Sequence, residues 1–150
     1  MGEAALTGTT LHPGEATGEL LVLRAPLSFW GGTGEDGTIV DEHHPQRGAR
    51  LTGKVVAMPT ARGSSSSSSV LAEQIRAGTA PAALVLTEPD AILMLGAWVS
   101  AELYGRRLPI VTLALPGYRA LCGWGSGPVT VVAGPEEAVV SGAPSPRHPG

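Results

Sequence analysis

The residues best suited to chemistry lie together in Met58-Pro59-Thr60-Ala61-Arg62-Gly63-Ser64-Ser65-Ser66. A Gly-containing turn that leaves an apolar strand and enters a helix aims several backbone N–H groups, with the positive end of the helix, into one space. Carboxylates and phosphates bind in such a space, and a serine oxygen held there is stabilised when it becomes anionic. Arg62 adds a planar guanidinium that can grip a carboxylate or phosphate through two hydrogen bonds. The turn continues into six consecutive serines, Ser64–Ser69. By composition a run of this kind is a flexible linker. Its position argues for a working turn, because it joins a strong strand to a helix and Ser is a good N-cap. On the residues alone the two readings stand level.

The elements that must hold this turn follow from periodicity. Leu51–Met58 ends in Val55, Val56, Ala57 and Met58, a buried strand stopped by Pro59. Val70–Ala77 reads as a helix with Leu71 and Ile75 on one face and Gly78 as its stop. Further strands are expected at Glu19–Leu23, Thr38–Val40, Ala82–Leu86, Pro109–Leu115 and Pro128–Ala133. A second helix is expected at Ala91–Tyr104, capped by Asp90 and ended by Gly105. Strand–helix–strand–helix–strand in the second half implies crossovers between parallel strands, and the β-rich first half adds a layer. The expected fold is therefore α/β, a β/β/α sandwich. Residues 1–10 are expected to be flexible, 11–133 to form the domain, and 134–150 to be a Pro/Gly-rich disordered tail.

Composition narrows the function. The chain has 150 residues, a formal net charge of -3 and 43% hydrophobic residues, which fits one globular domain and gives no support to nucleic-acid binding. One cysteine, Cys122, rules out an internal disulfide and a cysteine-built zinc or iron–sulfur site. The start of the sequence lacks the basic and apolar regions of a secretory signal, and the apolar stretch Ala91–Val99 is too short to span a bilayer, so a cytoplasmic protein is expected. Among the 10 basic residues Lys54 is the sole lysine, a bias that leans towards a GC-rich bacterial source.

Other residues have competing readings. The Gly31–Gly37 loop lacks the lysine of a Walker motif, so nucleotide binding is rejected. His43 and His44 are adjacent and therefore a poor metal pair; His43 is read as part of a polar loop. Leu27, Phe29 and Trp30 either pack under the sheet or meet another chain at the Gly31-Gly32 loop. Cys122 is read as a small buried hydrophobe. Trp98 is assigned to core or interface, and Arg106 and Arg107 to the dipole of the helix that precedes them.

Four ordered segments resemble the aconitase X swivel-domain family. Ala61-Arg62-Gly63-Ser64-Ser65 is similar to its Gly-Arg-Gly-Ser-Ser turn, with Ala61 in place of the first glycine. Pro26-Leu27-Ser28-Phe29-Trp30-Gly31-Gly32, Asp41-Glu42-His43-His44-Pro45 and Gly78-Thr79-Ala80-Pro81-Ala82-Ala83-Leu84 are similar to three further family segments. The resemblance implies a swivelling β/β/α domain. It also implies a hydro-lyase small subunit that is active only with a large subunit, in a heterodimer. Ser64 is then the catalytic base, with Arg62, Gly63, Ser65 and Ser28 binding substrate. Phe29, Trp30, Gly31, Gly32 and His44 lie at an interface or active-site mouth. No metal is expected on this chain, and an iron–sulfur cluster or iron is expected on the large subunit. Family members dehydrate cis-3-hydroxy-L-proline to a cyclic imine, or dehydrate phosphomevalonate; the bacterial composition favours the first. A non-catalytic anion-binding or interaction module is the alternative.

Overall fold

A computed structural model describes residues 3–144. In chain order the elements are β1 (Ala4–His12), β2 (Gly14–Val22), α1 (Phe29–Gly32), β3 (Val55–Ala57), α2 (Ser67–Ala77), β4 (Ala83–Leu86), α3 (Ala91–Tyr104), β5 (Ile110–Thr112), α4 (Leu115–Cys122), β6 (Pro128–Ala133) and β7 (Glu137–Gly142). The strands close into a barrel in the order β1-β5-β4-β3-β2-β6-β7. β2, β3, β4 and β5 are parallel neighbours, whereas β1, β6 and β7 join antiparallel.

Side-chain alternation on the parallel strands creates two cores. Val55 and Ala57 of β3, Ala83 and Val85 of β4, and Val111 of β5 face the barrel interior. The intervening Val56, Leu84, Leu86 and Ile110 face outward, under α2 and α3, with Leu71, Ile75, Leu93 and Ala97. Strands buried on both faces read as continuous apolar runs, which is why these were visible in the sequence. α4 plugs the barrel with Tyr118 and Leu121, joined by Trp124. The result is helix layer, parallel sheet, then antiparallel sheet, the expected β/β/α order.

Several expectations need correction. Residues 4–12, expected to fall mostly in a loose N-terminus, form strand β1, which pairs with both β5 and β7 and closes the barrel. Part of the expected tail is also ordered, since β7 pairs with β6 and β1 and buries Ala138 and Val140. The domain thus extends beyond 11–133, while residues 1–2 and 145–150 lie outside the described part. Thr38–Val40 forms only the isolated bridges Thr33↔Ile39 and Thr38↔Arg50. Cys122 is exposed, at the end of α4. Its thiol is nonetheless pushed up in pKa, first by partial desolvation. Arg106 does not serve its own helix; it donates to Ile75 O and Arg76 O, the last carbonyls of α2. No helix among the described residues is long and apolar enough to cross a membrane.

Candidate active-site cleft

The cleft lies beyond the carboxyl ends of parallel strands β2 and β3, where crossover loops of α/β sheets gather ligands. Two loops form it. One follows β2 and contains residues 24–50; the other follows β3 and leads into α2. They are tied together by backbone and side chain. Arg62 N–H donates to Leu27 O at 3.1 Å. Trp30 N–H donates to Ser67 Oγ at 3.2 Å. Ser28 Oγ–H donates to Trp30 O at 2.9 Å, so it accepts from the Ser67 hydroxyl at 3.3 Å. Gly31 holds the loop's reversal at φ 78, a conformation that favours glycine.

Residues Ser28, Trp30, Gly31, Gly32, Asp41, His43, Arg62, Gly63 and Ser64 line the cleft, which has a volume of about 510 Å³. The serine run is an ordered helix start. Ser64 O accepts from Ser67 N–H at 2.9 Å, and Ser64 Oγ accepts from Ser66 N–H at 3.3 Å. That places the Ser64 oxygen at the N-terminal end of α2, half-exposed, with a backbone donor aimed at it. Ala61 is unstrained, because no described non-glycine residue has positive φ. Gly63 has ordinary φ, and a Cβ there would only touch Ile92 Cδ1 at 3.8 Å.

The structure separates the expected site residues. Ser28, Trp30, Gly31, Gly32, Arg62, Gly63 and Ser64 come together. Ser65 is exposed and is not among the cleft-lining residues. Phe29 is buried, because its ring belongs to the outer core under the helices. Trp30 next to it is 56% exposed. His44 is buried too, and is structural: Gln46 N–H donates to Nδ1, so Nε2 carries the proton and donates to Ala25 O at 3.0 Å. The exposed neighbour His43, read as plain loop, lines the cleft instead. Asp41 orients it by accepting His43 N–H on Oδ1 at 2.9 Å. Asp41 and His43 were both missed as cleft residues, although the turn signal of an Asp two residues before the accepted N–H was present. Among the described residues, no three His, Cys, Asp or Glu side chains gather as a metal site.

Residues 5–139 match the family described as the aconitase X swivel domain. A cis-3-hydroxy-L-proline dehydratase of Pseudomonas aeruginosa is 52% identical over 105 residues, 69% of this chain and 18% of that protein. A phosphomevalonate dehydratase small subunit of Pyrococcus furiosus is 37% identical over 108 residues, 71% of this chain and 76% of that protein. The chain therefore spans about a fifth of the length of the hydroxyproline dehydratases it matches. The holo-form crystal structure of Thermococcus kodakaraensis aconitase X superposes with a TM-score of 0.75 at 28% identity, covering 91% of this chain and 98% of that one.

Proposed function

The chain belongs to the aconitase X swivel family, and from that premise we propose that it is the small component of a hydro-lyase. It acts with a larger aconitase X-type chain on a small hydroxy acid, in an active site that the two chains share. The observation that carries this reading is Ser64 Oγ, placed in the cleft and accepting Ser66 N–H at the start of α2. The Ser64 alkoxide takes the carbon-bound proton, the C–H electron pair forms the new double bond and the hydroxyl on the neighbouring carbon leaves; the backbone donor and helix terminus stabilise the charged Ser64 oxygen beforehand. Arg62, on the same wall, holds the substrate carboxylate. Trp30 and the two glycines of its loop meet the large chain and keep water from the reacting atoms.

A cis-3-hydroxy-L-proline-like substrate is favoured, with phosphomevalonate second. The cleft presents Arg62 and Asp41 together. Opposite charges on two walls suit a zwitterion, whose carboxylate and ammonium each find a partner. A phosphate dianion would meet the Asp41 carboxylate. The iron–sulfur cluster or iron that the family resemblance implies is assigned to the large chain, since the one cysteine of this chain cannot hold a cluster.

The test is co-expression with the large aconitase X-type chain of the same organism, followed by assay of both substrates. Cyclic-imine formation from cis-3-hydroxy-L-proline is expected. Turnover of phosphomevalonate alone would reverse the substrate order. A stable complex inactive on both, yet binding small carboxylates, would support the non-catalytic module instead.

A further inference from the structure

We infer that the outer face of α3 is the docking surface for the large chain; this deepens the proposed function and rests on it. α3 is apolar on both sides. Its inner residues Leu93, Gly96 and Ala97 are buried. Gly96 lets α2 approach so closely that a Cβ there would sit 2.8 Å from Ser68 O. Its outer side carries Leu95, Trp98 and Leu103, with Trp98 57% and Leu103 67% exposed. Leu95, Val99 and Leu103 form one i, i+4 row, and Trp98 stands beside Leu95. Exposed Glu102 is the one charged residue of α3, so its outer surface is far more apolar than the water-facing side of a surface helix normally is. The neighbouring helix α2 has the ordinary pattern: Glu73 and Arg76 lie outward and pair with each other.

The face runs into the active-site cleft. Ile92, one turn before Leu95, is the side chain nearest to Gly63, and its carbonyl accepts the Ser68 hydroxyl at 2.7 Å. A body that closes over Ser64 and continues along α3 covers both exposed tryptophans, Trp30 and Trp98, the residue type most enriched at binding hot spots. The size of that body follows from the relatives. The matched segment is 18% of the Pseudomonas dehydratase, and the Pyrococcus protein is named a small subunit. On these relatives the occupant assigned is the larger chain, and a second copy is an outcome of the test.

The experiment measures affinity between this chain and the large aconitase X-type chain of the same organism. Trp98→Asp is expected to weaken the complex about thirtyfold or more, the effect of losing one hot-spot residue. Leu103→Asp, at the most exposed position, is the second variant should Trp98→Asp lose its helical circular-dichroism signal. Val132→Asp, on the exposed face of the antiparallel sheet, is expected to bind like the parent chain. Parent-like affinity for both α3 variants would overturn the assignment while leaving the hydro-lyase reading intact. Failure of the parent chain itself to bind would overturn both. A parent dimer that Trp98→Asp converts to monomer would make a second copy the occupant and overturn the inference.

Discussion

The serine run contains two halves made of the same residue and doing different work. Ser64 lines the cleft, and its hydroxyl receives a single backbone donor. Ser67 and Ser68 point the other way. Ser67 is buried and its oxygen joins Trp30 N–H to Ser28. Ser68 donates to Ile92 O on α3. One turn of helix thus turns a low-complexity stretch into an open end at the cleft and a clamped structural end. Composition could not distinguish them; helical geometry does.

Several measurements would sharpen or break that division. The largest expected effect is on chemistry at the open end. Ser64→Ala should lower turnover of the two-chain complex by roughly a thousandfold, in the range expected for loss of a general base. Its melting temperature and assembly should be unchanged, and near-normal turnover would remove Ser64 from the mechanism. Next comes stability at the clamped end. Ser67→Ala strands Trp30 N–H and should cost about 1–2 kcal/mol in denaturant unfolding. An unaffected midpoint would show that the Trp30 loop does not depend on Ser67. The smallest effect tests whether acid instability arises elsewhere. His12, on β1, donates from Nδ1 to Leu108 O at 3.0 Å, and burial lowers its pKa below the ordinary 6.5. The unfolded chain then takes up the proton first, so stability is full above about pH 6.5 and falls as pH drops through the folded pKa. Melts across that window should show a loss that His12→Gln lacks. An equal loss in both proteins would move the acid sensitivity to another group.

The parallel half of the fold was legible because its strands are buried on both faces and its helices carry clear stops at Gly78 and Gly105. β1 was missed because its sequence, Ala-Ala-Leu-Thr-Gly-Thr-Thr-Leu-His, alternates small and polar residues with little apolar weight. Small residues are required there: a Cβ on Gly8 would collide with Thr112 O of β5. α4 was missed because Leu-Pro-Gly opens it, although Pro in the first turn is a normal helix start. In the cleft, Ser64, Arg62 and Trp30 were found through the resemblance and the turn chemistry. His43, read as plain loop, lines the cleft while His44 packs inward, because adjacent residues on a turn face opposite sides and the local sequence does not say which side is solvent.

Closure of the barrel by β1 has a consequence for how such a module can move. A ring of strands has no end member, so each strand is held by a neighbour on either side over part of its length. Attachment through side chains on helices and loops, as proposed for α3, can be made and released without unzipping the sheet. That is the mechanical property a part needs if it is to pivot as a solid piece against its neighbour.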